Sequence, residues 1–98
     1  MEYVPRVVQA VAGEGYTVYA YFSDGSVRRV DVGSLIASGG VFEKLRDLTF
    51  FRDRLTVMND AVAWDVTGDR DASQCIDLDP CETYETSPVV ADPLAGVA

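Results

Sequence analysis

Five aspartates, Asp65, Asp69, Asp71, Asp77 and Asp79, fall within fifteen positions of one another, with Cys75 between them and Cys81 just beyond. An oxygen-rich cluster of this kind suits a hard divalent cation, which wants several carboxylate and carbonyl ligands. The spacing argues against the calcium loop of an EF-hand. Opened at Asp69, such a loop has Gln74 where its sharp turn needs glycine and Pro80 where its bidentate glutamate belongs. The aspartates read instead as turn and cap residues, whose carboxylates accept bonds from nearby backbone amides.

Two cysteines and no histidine fall short of the four ligands of a structural zinc site, and Cys75 and Cys81 do not have the C-x-x-C spacing of a redox pair. They read as small, partly buried hydrophobes kept as thiols in a reducing cytosol. The absence of histidine also removes Ser–His and Cys–His nucleophilic pairs and the commonest general base. No phosphate-cradling G-x-x-x-x-G-K, dinucleotide G-x-G-x-x-G or nucleophile-elbow G-x-S-x-G occurs. The expectation is a protein that is not an enzyme, with no catalytic residue, no cofactor and no metal.

Charge points to a partner class. The 98 residues carry a net charge of −8. Met1 to Met58 holds seven acidic and seven basic residues, whereas Asn59 to Ala98 holds nine acids against Arg70 alone. The excess lies in the last forty positions. Such a field repels phosphate backbones, so direct nucleic-acid binding is not expected, and it suits a basic protein partner or simple solubility. No long apolar run or signal-like opening is present, and the expected location is the cytoplasm, with no membrane contact.

The elements that must carry these residues read as a small α+β domain. Arg6 to Ala12 and Tyr16 to Phe22 are rich in valine, β-branched and aromatic residues and form a first hairpin around Gly13-Glu14-Gly15. Asp24-Gly25 then suggests a tight two-residue turn that sets Phe22 opposite Val27 and Tyr21 opposite Arg28 on a third strand, Val27 to Val32. Asp31 is placed to cap a short helix through Gly33 to Ala37, closed by Gly39-Gly40. Phe42, Leu45, Leu48 and Phe51 recur every three residues, a stripe for packing on a sheet, with Asp47 as a second cap. Leu55 to Met58 and Ala61 to Asp65 form a second hairpin around Asn59-Asp60.

After the polar stretch Thr67 to Gln74, Cys75 to Leu78 reads as a short edge strand. Asp79-Pro80-Cys81-Glu82 is a strong helix start, in which Asp79 caps the amides and Pro80 suits the first position. Trp64 and Tyr84 are expected at the periphery of the core. The fold class is therefore α+β: a small, mostly antiparallel sheet built from two hairpins and a short edge strand, with two or three short helices. One domain spans residues 1–85, and residues 86–98, with two prolines and no amphipathic period, read as a flexible C-terminal tail.

The ordered short motifs Phe22-Ser23-Asp24-Gly25, Asp31 before Leu35-Ile36, Gly40-Val41-Phe42 with Leu45 and Asp47, Ala63-Trp64-Asp65, and Cys75-Ile76-Asp77-Leu78-Asp79-Pro80 before Tyr84 carry a resemblance. Together they resemble a small bacterial family of unknown function, DUF2442, from about Val4 to Tyr84. The stretch Thr67 to Gln74 is longer than the Gly-containing turn found there in many members. The resemblance implies an α+β fold and supplies no activity, cofactor or agreed site. It also implies two contexts: one half of a small two-gene, toxin-antitoxin-like pair, or a domain placed ahead of a helix-turn-helix. This chain is too short to hold that second domain as well.

The leading expectation is a non-enzymatic protein–protein interaction module, the acidic partner of a small basic protein. Its interaction surface is assigned to Asp65, Asp69, Asp71 and Asp77. The alternative is a domain associated with transcription regulation that acts with a separate DNA-binding unit.

Overall fold

A computed structural model describes residues 3–71 and 73–94. The α+β class holds, with the strands divided between two three-stranded antiparallel sheets, ordered β1-β2-β3 and β4-β5-β6. The first contains β1 (Val7–Ala12), β2 (Thr17–Phe22) and β3 (Val27–Asp31). The second contains β4 (Leu55–Met58), β5 (Ala61–Trp64) and the two-residue edge β6 (Ile76–Asp77). Between them run α1 (Gly33–Ser38), a 3₁₀ helix (Gly40–Arg46) and α2 (Leu48–Asp53), and α3 (Pro80–Thr86) follows β6.

Both sheets feed one core, because each has an apolar face that must leave water. Val18, Ala20 and Phe22 alternate inward along β2 and meet Val62, Trp64 and Ile76 from the second sheet, with Leu45 and Phe51 closing the side between them. All four residues of β5 are buried, as befits a central strand covered on both faces. Trp64, expected at the periphery, is the largest fully buried side chain, at 0% exposure. Its indole N–H donates to the Phe51 carbonyl at 3.0 Å, which is why so large an amphipathic ring can sit there.

The turn expected at Asn59-Asp60 forms from those two residues, whereas the one expected at Asp24-Gly25 is longer by one. Asn59 and Asp60 both take positive φ, 53° and 64°, and join Met58 to Ala61 as a two-residue turn of the I′ kind. At the first sheet, the Gly25 N–H bonds to the Phe22 carbonyl at 3.0 Å, so Ser23 and Asp24 are the central turn residues and Gly25 follows at φ 91°. This three-residue loop shifts the predicted register by one: Tyr21 lies opposite Val27 and Ala20 opposite Arg28. The physical reason is that Asp24 accepts from the Ser26 amide at 2.8 Å, a local bond that holds Asp24 in the turn without positive φ.

Local capping follows the predicted residues with one displacement. Asp47 caps α2 by accepting from the Thr49 and Phe50 amides at 3.0 and 3.4 Å. Asp31 stands one residue outside α1, whose cap position is Val32, yet still accepts from the Ser34 amide at 3.4 Å and its hydroxyl at 2.7 Å. In the predicted stripe, Leu45 and Phe51 are fully buried and Phe42 packs against the core, whereas Leu48 is exposed. The helix is interrupted at Asp47, which has extended backbone, and the interruption resets the phase of the stripe.

Asp79 caps α3, accepting from the Cys81 and Glu82 amides at 2.9 and 3.5 Å, with Pro80 at the first position. Asp79→Ala is expected to remove about 0.5–2 kcal/mol of stability. A chemical denaturation midpoint equal to that of the parent chain would contradict this role.

The segment expected as a flexible tail returns to the first sheet. Val89 bridges Arg28 in antiparallel sense, the Arg29 amide donates to the Pro88 carbonyl at 3.0 Å, and the Val90 amide donates to the Val27 carbonyl at 2.9 Å. The Tyr21 hydroxyl then donates to Asp92 at 2.6 Å. Residues 87–92 thus lie along the outer side of β3, and 95–98 fall outside the described residues.

Candidate functional site: an acidic cleft beside strand β3

A cleft of about 390 Å³ opens between β3 and α1 on one side and β6, α3 and the returning C-terminal segment on the other. Val30, Leu35, Phe42 and Leu78 form its apolar floor, and Asp31, Asp77, Asp79, Glu82 and Arg29 supply its charge. Four carboxylates face one guanidinium. Two of the four are committed to local structure: Asp31 to Ser34, and Asp79 to the first turn of α3. The Asp77 and Glu82 carboxylates have no hydrogen-bond or ion-pair partner among the described residues, where the one salt bridge is the exposed pair Arg6–Asp60 at 3.4 Å.

The wall formed by α3 is held by Arg28. Its guanidinium lies 3.7 Å from the Tyr84 ring centroid, and Nη1 donates to the Tyr84 carbonyl at 2.8 Å and the Ser87 carbonyl at 3.0 Å. The Tyr84 hydroxyl donates to Asp24 at 2.7 Å. That bond, with those from the Ser26 side chain and amide, holds the Asp24 carboxyl below its ordinary range. The Tyr84 phenol is raised, chiefly by the same bond. A depressed folded-state carboxyl pKa gives stability that is present above the unfolded value and lost as pH falls through the folded one. Acid unfolding should therefore include an Asp24 component. Asp24→Asn is expected to flatten stability against pH at and below the ordinary carboxyl range, and denaturation curves across an acid pH series read it out.

Of the residues assigned from sequence, Asp77 alone lines this cleft. Asp65 accepts from the Gly68 and Arg70 amides, each at 3.0 Å, and so shapes its own loop. Asp69 accepts from the Thr67 hydroxyl, and Asp71 from the Ser73 amide and hydroxyl at 3.0 and 2.6 Å. These are the turn roles read from the sequence. Among the described residues no group of three or more His, Cys, Asp or Glu is arranged to hold a metal ion. Asp65, Asp71 and Asp77 do converge electrostatically on Cys75, whose thiol is pushed up by burial first and by Asp77 next.

Sequence reading missed Asp31 and Glu82 as cleft residues. Asp31 precedes Glu82 by some fifty positions, and its neighbour in space is set by the packing of β3 against α3 rather than by any local pattern.

The family model described as "Protein of unknown function (DUF2442)" matches residues 7–85. No curated protein and no solved structure matches the chain. No helix among the described residues is long and apolar enough to cross a membrane.

Proposed function

We propose that this chain, which belongs to the DUF2442 family, is a non-enzymatic interaction module whose acidic cleft receives a basic segment of a partner protein. The observation that carries this reading is the pair Asp77 and Glu82, whose carboxylates have no hydrogen-bond or ion-pair partner among the described residues and border an apolar floor. A cation brought there gains two exposed carboxylates, and the floor receives the apolar part of the same segment. The charge of −8, concentrated in residues 59–98, steers such a partner toward this half of the molecule.

Absence of catalysis belongs to the same proposal. With no histidine in the chain and the Cys75 thiol disfavoured as thiolate by burial and nearby carboxylates, neither a histidine-activated nucleophile nor a reactive thiolate is supplied. The setting is the reducing cytoplasm, and the partner is the other half of a small two-gene, toxin-antitoxin-like pair. Co-purification of the tagged chain with the product of its neighbouring gene tests this. The expected complex is stable at low salt, dissociates as salt rises, and is lost in the double variant Asp77→Lys, Glu82→Lys while circular dichroism is unchanged. A complex indifferent to both substitutions, or turnover in a broad hydrolase panel, would overturn the proposal.

A further inference from the structure

Two guanidinium groups share a second cavity. A space of about 420 Å³ opens between the end of α2, β4 and the loop after β5, and none of its lining residues belongs to the acidic cleft. Arg54 and Arg70 both line it, together with Thr56, Asp53 and Asp65. The loop is shaped by Asp65, whose two carboxylate oxygens accept from the Gly68 and Arg70 amides. It turns Arg70, at φ 61°, back over β4, where Nη1 donates to the Thr56 hydroxyl at 2.9 Å and Nη2 to the Val57 carbonyl at 3.1 Å. Arg54 meets the same loop from the end of α2. Its Nη1 donates to the Asp65 carbonyl at 3.4 Å, and Gly68 leaves it room, because a Cβ there would stand 2.6 Å from that nitrogen.

Neither guanidinium is neutralised by the protein. Among the described residues the one ion pair is Arg6–Asp60, so neither Asp53 nor Asp65 lies within salt-bridge distance of Arg54 or Arg70. Their bonds go to uncharged oxygens, and each group keeps N–H donors that these bonds do not use. Two like charges in one cavity repel each other, and an anion between them offsets that repulsion. We propose that Arg54 and Arg70 form a binding site for the phosphate group of a small molecule. The planar fork of arginine matches phosphate oxygens, and the Thr56 hydroxyl, which accepts from Arg70, has its own proton to donate. The cavity has the volume of a small-ligand site, and the net charge of −8 disfavours a polyanion. Asp65 opposes the ligand less than its charge implies, since two amides already face its oxygens. Asp53, with no such bonds among the described residues, is the main counterweight.

The test is titration of the isotope-labelled full chain with inorganic phosphate and with phenyl phosphate at constant ionic strength, with chloride as the control. The expected result is a saturable shift of the Gly68 amide and of the Arg54 and Arg70 Nε–H resonances. Affinity should weaken about tenfold or more in Arg54→Gln and in Arg70→Gln. Asp53→Asn, which leaves the bonds of the loop in place, should tighten binding. Asp77→Asn, Glu82→Gln should leave it unchanged, so this site and the acidic cleft stand or fail separately. Tighter binding of phenyl phosphate supports an ester as the occupant, and tighter binding of inorganic phosphate supports the free ion. Shifts that chloride reproduces, a lack of saturation, or binding that neither arginine substitution weakens would overturn the site. If an arginine variant loses its folded circular dichroism, Asp53→Asn decides: unchanged or weaker binding there overturns the proposal.

Discussion

Trp64→Ala is expected to remove about 3–5 kcal/mol of stability, the cost usual for deleting a fully buried large aromatic ring. For a domain whose whole stability is about 5–15 kcal/mol, that is enough to leave a sizeable unfolded population near physiological temperature. Trp64 is 0% exposed and sits at the meeting of the two sheets, its ring centroid 5.5 Å from that of Phe51. Truncation opens a void that neither sheet can close without losing its other contacts. It also removes the indole N–H from the Phe51 carbonyl, a group that then lacks a partner in a dry interior. Trp64→Phe should cost less, because the ring volume is largely kept and chiefly the hydrogen bond is lost. Chemical denaturation followed by far-ultraviolet circular dichroism measures both. A loss below about 1 kcal/mol for Trp64→Ala would show that the ring does not join the sheets. As the only tryptophan, Trp64 should also give blue-shifted fluorescence in the parent chain that moves red on unfolding.

Arg28→Ala is expected to cost about 2–3 kcal/mol, because one half-buried guanidinium serves two carbonyls and an aromatic face. The Tyr84 and Ser87 carbonyls lie at the C-terminal end of α3, where backbone acceptors have no further intrahelical donors. Losing Arg28 leaves them facing β3 without a donor and releases the returning segment beyond Ser87. The Val90 and Arg29 amides, whose acceptors bind that segment to β3, should then exchange with solvent faster than in the parent chain. Arg28→Lys should not restore stability, since an ammonium group cannot present a planar fork to two carbonyls while stacking on a ring. Denaturation and amide exchange together decide the point. Full rescue by lysine, or unchanged exchange at Val90, would mean that Arg28 does not hold α3 to the sheet.

Such a role was not legible in the sequence. Arg28 stands in a strand whose pattern marks it only as a polar position, and its ligands arrive from fifty-six and fifty-nine residues away. The Asp79 cap was legible because everything it needs lies within three residues. The same contrast separates the aspartates. Asp65, Asp69 and Asp71 could be read as turn residues because their acceptors and donors are local. That Asp77 shares a cleft with Asp31 and Glu82 follows from the approach of β3 to α3 and β6, which no local spacing encodes.

The sequence by itself determined the α+β class, the two hairpins, the caps at Asp47 and Asp79, and the concentration of acid in residues 59–98. These depend on side-chain periodicity, on hydrogen bonds between near neighbours and on composition, all of which act before the chain closes on itself. Tertiary structure decided the three-residue length of the turn at Ser23 to Gly25, where Trp64 lies, and that Pro88 to Val90 return to β3. Each of these depends on a choice among locally similar alternatives, made by burial and by pairing between distant segments.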